Sequence, residues 1–89
     1  MNIIELILKN AKRFPDKPAI IFGEDILTYQ VLVDQTRKVS HAFSRLGVGE
    51  GTFMGLLLTN STEFVLSMLG AADLGASIVP MSNTLGRKD

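Results

Sequence analysis

The chain contains no cysteine and a single histidine. The first absence excludes disulfides and thiolate metal sites, and the two together leave none of the Cys- and His-rich ligand sets that zinc requires. There is no excess charge of either sign: nine Lys and Arg stand against nine Asp and Glu, for a net charge of zero. Nothing electrostatic therefore recommends nucleic acid or an anionic membrane as a partner. Internal repeats and low-complexity tracts are also missing. The stretch MNIIELILKNAKRF lacks the basic start and small-residue cleavage site of a secretory leader, and Glu5 and Lys9 interrupt its apolar run. The most apolar window, Phe64 to Met81, is broken by Asp73, two glycines and Pro80, and its period changes midway. It reads as a buried helix followed by a buried strand, with no transmembrane segment. A cytoplasmic location is expected, and the glycosylation-type triplet Asn60-Ser61-Thr62 then has no secretory route to use it.

What is present is 89 residues, of which 46% are hydrophobic. A domain of this length buries roughly two-thirds of its unfolded surface. So high an apolar content implies that part of the folded surface meets something else, another copy of the chain being the simplest substitute partner.

Hydrophobic periodicity predicts a helix over Ile3 to Arg13, with Ile3, Ile7, Ala11 and Phe14 on one face and Ile4 and Leu8 beside it. Asn2 is placed to cap it, and FPDKP stops it. Ala19 to Phe22 and Ile26 to Tyr29 predict a β-hairpin about Gly23-Glu24-Asp25. Thr28 then caps a long helix to Leu46. Its stripe is Leu32, Val39, Phe43 and Leu46, with Thr36 and Ala42 close to it, and Gln30, Asp34, Arg37, Lys38 and His41 lie mostly off it. Gly47 is a natural terminator. Phe53 to Leu58 is an unbroken apolar run, expected to be a strand covered on both faces, as in a parallel sheet. Asn60, three residues before Glu63, suggests a capping box for a helix ending near Leu74. That helix is apolar nearly all round and should be buried on more than one side. Gly75 ends it and ASIVP forms a second buried strand, completing a βαβ crossover of the usual right hand.

The glycines of GVGEG, Gly47 to Gly51, invite comparison with a phosphate-binding loop, but their context is reversed. A phosphate loop follows a strand and opens a helix whose amides face the anion. Here a helix leads in and a strand leads out, and position 52 is Thr where G-x-G-x-x-G requires Gly. The stretch reads as a helix stop and a tight turn. The start of the next helix, Asn60-Ser61-Thr62, could in principle meet an anion, and an ordinary cap is the simpler reading. His41 faces away from Val39 and Phe43, as a solvated histidine does. Asp16, Glu24 and Asp25 are turn residues without a paired acid or base. Ser40, Ser44, Ser61, Ser67, Ser77 and Ser82 lie in no nucleophile motif. Met54, Met68 and Met81 suit core filling, and Gly70 suits close helix packing. No catalytic, cofactor-binding or metal-binding residue is assigned.

The order of elements and the words at their junctions resemble one family. FPDKPAIIFGEDILTYQVLVDQTRKVSHAFSRLGVGEG is similar to the opening of adenylate-forming acyl-CoA synthetases, in which a helix, PDKPA, a hairpin and LTY lead into a long helix ending in LGVGKGD or a close variant. LLLTNSTEFVLSMLGAADLGASIVPMSNTL resembles the family's LLPNSPEFVVAFLGALKAGAVVVPLNPRL. The resemblance runs from about Ile3 to Leu85 and rests on the ordered series. It implies an α/β fold, the first part of the family's large N-terminal domain of stacked βα sheets, and hence an incomplete domain over residues 1–89. It implies, for the parent enzyme, activation of a carboxylic acid by ATP and Mg as an acyl-adenylate, then transfer to CoA, with the rest of that enzyme as the chain's partner. The family's phosphate-holding loop, adenine and ribose motifs and catalytic lysine are absent from these residues, so the segment alone is expected to be inactive. Thr52 replaces the usual Asp, Asp73 the usual basic residue, Val31 the usual Glu, and Thr59 and Thr62 the usual prolines. Alternatives carried forward are the start of a peptide-synthetase adenylation domain and a stand-alone binding or oligomerising module.

Overall fold

A computed structural model of the chain describes residues 2–58 and 61–82. Seven elements follow in order: α1 (Ile3–Arg13), β1 (Pro18–Phe22), β2 (Asp25–Thr28), α2 (Tyr29–Arg45), β3 (Phe53–Leu58), α3 (Thr62–Asp73) and β4 (Ser77–Ser82). They form two separate two-stranded sheets. The α/β class and the element order match the expectation from sequence.

The local chemistry explains each boundary. Asn2 Oδ1 accepts from the Glu5 amide at 2.8 Å and opens α1. β1 and β2 pair antiparallel, with Phe22 opposite Asp25 and Ile21 opposite Ile26. The turn is therefore the two residues Gly23-Glu24, and Asp25, expected in the turn, lies in the strand. Gly23 has φ 57°, the positive angle that a two-residue hairpin demands at its first position. Tyr29 opens α2 under the Thr28 cap as expected, with the Thr28 hydroxyl accepting from Val31 N–H at 3.2 Å, and β2, expected to reach Tyr29, ends at Thr28.

Both later helices end in the same way. Gly47, with φ 90°, donates to Ser44 O, and Val48 donates to Phe43 O. Gly75, with φ 78°, donates to Ala72 O, and Ala76 donates to Ala71 O. These are Schellman caps, in which glycine supplies the left-handed residue. β3 and β4 pair parallel, from Phe53 opposite Ser77 to Leu58 opposite Ser82, with α3 as the crossover. β4 thus starts one residue later than expected and continues past Pro80.

The core is the cluster of Leu27, Leu32 and Leu69, with Ile4, Ile7, Ile20, Val65 and Met68 packed against it. α2 buries Leu32, Val33, Thr36 and Ser40, a face turned from the expected stripe. Leu46 is 80% exposed, because it caps the helix beyond the reach of α1 and α3. The rotation follows from the small residues: Ser40 and Gly70 let α2 and α3 approach closely. Phe14 was expected on the buried face of α1 and is exposed. It sits just past the helix end, with Arg13 and Lys17 at 5.3 Å and 4.9 Å from its ring centroid.

The expectation that β3 is covered on both faces holds on one side only. Met54, Leu56 and Ile78 are half-buried on the face that α3 covers, whereas Phe53 is 76% exposed and Val79 is also exposed. This sheet consists of two strands with one crossover helix, and among the described residues nothing lies across its second face. On it, the Met81 side chain bends over Gly55, where an added Cβ would stand 2.9 Å from Met81 Cε.

Thr36 is buried and its hydroxyl oxygen has no hydrogen-bond partner. An unmatched buried hydroxyl carries a desolvation penalty. Thr36→Val is expected to raise stability by about 1 kcal/mol, read as a higher urea midpoint at unchanged slope. A lower midpoint would mean that the hydroxyl has a partner.

Candidate functional site

The most suggestive stretch of the sequence, Gly47 to Gly51, is a turn built by its own backbone. Thr52 N–H donates to Gly49 O at 3.0 Å, with Gly51 at φ 87° in between, the positive φ that a type II turn places at its third residue. The Gly49 amide donates to Thr52 Oγ1 at 3.1 Å. Thr52 thus supplies a side-chain acceptor at a position where the resembling family usually carries Asp. The amides of residues 47, 48, 49 and 52 all have acceptors within the chain, and α2 arrives at this loop by its C-terminal, negative end. The loop also abuts the α3–β4 turn: a Cβ on Gly75 would stand 3.0 Å from Glu50 Cγ. Both glycine turns therefore sit where β3 and β4 begin. In open parallel α/β sheets ligands gather at the opposite, carboxyl ends of the strands.

The helix N-termini are capped as well. At α2 the carbonyls of Lys17 and Pro15 accept from the Tyr29 and Gln30 amides, beside the Thr28 cap. At α3 the cap is Ser61, whose Oγ accepts from Phe64 N–H at 3.2 Å. This corrects the expectation of a cap at Asn60, which itself lies outside the described residues. Glu63 stands in the first turn, where its charge suits the helix dipole.

The reactive side chains are scattered. His41, Asp16, Glu24 and Asp25 are exposed at separate places. Ser40 is buried and donates to Asp73 Oδ2 at 2.8 Å, joining α2 to α3. Sequence reasoning treated Asp73 only as a break in the apolar window and a departure from the resembling family's basic residue, and missed this bond. The signal available was a carboxylate in the last turn of a helix otherwise apolar on every side. Among the described residues no three or more His, Asp and Glu side chains gather as a metal site, and no helix is long and apolar enough to cross a membrane. Of the GVGEG turn, the amides of residues 47, 48 and 49 and that of the following Thr52 are engaged within the chain, and Arg13 and Lys17 converge on the Phe14 ring instead of on a pocket.

Comparison with known proteins defines the class. The chain belongs to the AMP-binding enzyme family, whose profile matches residues 7–89. Tyrocidine synthase 3 of Brevibacillus parabrevis is 32% identical over 80 residues, covering 90% of this chain and 1% of that protein. A medium/long-chain-fatty-acid–CoA/3-oxocholest-4-en-26-oate–CoA ligase of Mycobacterium marinum is 34% identical over 79 residues, covering 89% of this chain and 14% of the ligase. The N-terminal subdomain of Klebsiella oxytoca NpsA superposes with a TM-score of 0.84 at 25% identity, covering 90% of this chain and 21% of that one. The chain therefore has the fold found at the start of adenylate-forming enzymes and spans a small part of the length of its relatives.

Proposed function

We propose that residues 1–89 form the opening scaffold of an ATP-dependent acyl-CoA ligase, an incomplete AMP-binding domain that contributes no catalytic, cofactor-binding or metal-binding residue of its own. In this reading the parent enzyme activates a carboxylic acid as its acyl-adenylate and transfers the acyl group to CoA. ATP, Mg and CoA are held by later segments, and the chain's partner is the rest of that enzyme. The observation that carries the reading is the family match over residues 7–89 combined with a βαβ unit whose glycine turns lie at the starts of its strands. The bare face carrying Phe53 and Val79 is where a further layer of the same domain would pack.

A second reading has a specific observation in its favour. Tyrocidine synthase 3 and a linear gramicidin synthase of the same organism match at 32% identity, close to the 34% of the mycobacterial ligase. In that reading the chain opens a peptide-synthetase adenylation domain. One experiment separates the two. The coding sequence is read past the codon for Asp89, and the full product is incubated with ATP, CoA and panels of fatty and amino acids. Acyl-CoA formed from a fatty acid supports the ligase. Pyrophosphate release driven by amino acids, without a CoA product, favours the synthetase. A stop codon directly after Asp89 would overturn both readings and leave a stand-alone module.

A further inference from the structure

Parallel sheets occur almost only with both faces covered, and the β3–β4 pair has one face open. Phe53, Gly55, Ser77, Val79 and Met81 belong to that face, alternating with Met54, Leu56 and Ile78 on the side of α3. None of the five is charged, in a chain of which 20% is, so the face lacks the composition of a solvent-facing surface. Its apolar side chains are nonetheless accessible: Phe53 is 76% exposed and Val79 46%. The surface of the whole chain is also large for its mass. A closed monomer of 9.7 kDa exposes about 5,100 Å², and this chain exposes 6207 Å². The surplus of about 1,100 Å² exceeds the roughly 800 Å² that each partner gives to a standard interface.

A second copy of the chain fits these features. An uncharged face offers nothing to a charged partner and meets its own image without repulsion. The net charge of zero removes the long-range repulsion that keeps copies of a protein apart. The other exposed apolar pair, Ile21 and Ile26 of the hairpin, lacks this property. It borders on Glu24 and Asp25, and a second copy would double that negative charge. Its first strand also begins at Pro18 and shifts register before Ile20, two devices that discourage edge pairing. We propose that two copies of the 89-residue chain pair through their β3–β4 faces, stacked sheet on sheet, with each Phe53 ring buried in the contact. Two strands make a narrow face, so the pair is weak, with a dissociation constant on the order of 100 μM. The pairing rests on the bare face and is independent of the function proposed above. Where a parent domain lays a layer of its own on this face, the second copy is excluded.

Sedimentation equilibrium of the full 89-residue chain measures the pair. The mass should rise from 9.7 kDa at about 5 μM towards twice that value at about 1 mM. Phe53→Asp should weaken the pair by at least about thirtyfold, the loss for one buried aromatic anchor, and Ile21→Asp should leave it unchanged. Both positions are exposed, so the helical circular dichroism of each variant should match that of the unaltered chain. Amide NMR signals followed over the same concentration range should move in β3 and β4 and stay fixed in β1 and β2. A monomer mass throughout overturns the pairing and leaves the face to another segment of the parent domain. So does a Phe53→Asp variant that pairs as tightly as the unaltered chain, or a set of moving signals centred on the hairpin.

Discussion

Leu69→Ala is expected to destabilise the chain by about 3 kcal/mol. Leu69 is 3% exposed and forms the core cluster with Leu27 and Leu32. It lies in the middle of α3, where that helix meets both the hairpin side and α2, so deleting its side chain opens a void with stiff walls. The lost transfer energy and the cavity add, and buried leucine truncations span about 2–5 kcal/mol. An 89-residue domain has a total stability on the order of 4–13 kcal/mol, taking about 0.05–0.15 kcal/mol per residue, so this one change removes roughly a fifth or more of it. Val79→Ala is the matched control, because Val79 is 46% exposed on the bare sheet face and should move stability by no more than about 0.5 kcal/mol. Urea unfolding monitored at the helical circular-dichroism band measures both. The core is misassigned if Leu69→Ala costs less than Val79→Ala. If the Val79 change proves the costlier one, the second face of the sheet is already covered in the isolated chain.

The elements with a strong local signature were legible in the sequence. α1 runs over the predicted Ile3–Arg13 with its predicted cap. Thr28 and Gly47 bound α2 as expected, and β3 coincides with its apolar run. In each case a capping side chain or a positive-φ glycine settles the boundary within a few residues, with no distant partner needed. What was not legible depends on distant partners. The turned face of α2 could not be read from its own periodicity, because the contact that sets it involves Gly70, thirty residues later. Leu46 has the spacing of a core residue and remains exposed because, among the described residues, nothing packs beyond the helix end. The bare face of β3 and β4 is the same effect in a sheet: an unbroken apolar run signals two covered faces, and the cover on one of them is not among the described residues. The reading of GVGEG survived because it rested on order, helix before and strand after, and not on the glycines themselves. The Ser40–Asp73 bond was invisible for the opposite reason. Neither residue is unusual alone, and only the crossing of α2 and α3 brings them to 2.8 Å.

That crossing makes Gly70→Ala a sharper test of the fold than its size suggests. In a free helix alanine is favoured over glycine by about 1 kcal/mol, so propensity alone predicts stabilisation. Packing predicts the reverse. A Cβ on Gly70 would stand 2.6 Å from Val39 Cγ1, 3.1 Å from Val39 Cβ and 3.2 Å from the Ser40 amide nitrogen. Valine is stiff at χ1 in a helix, and the Ser40 backbone cannot yield without lengthening the bond that Ser40 makes to Asp73. Overpacking of this kind costs about 1–3 kcal/mol, which outweighs the propensity gain, so a net loss of about 1–2 kcal/mol is expected. The double variant Val39→Ala with Gly70→Ala separates the terms. Removing Val39 Cγ1 clears the shortest contact and leaves the approach to the Ser40 nitrogen. Part of the Gly70→Ala penalty should then disappear in the Val39→Ala background, as a coupling of at least about 0.5 kcal/mol. Additive losses would mean that Gly70 and Val39 do not touch. A net gain from Gly70→Ala alone would mean that α2 and α3 lie further apart than described, and the Ser40–Asp73 bond between them would fall with that contact.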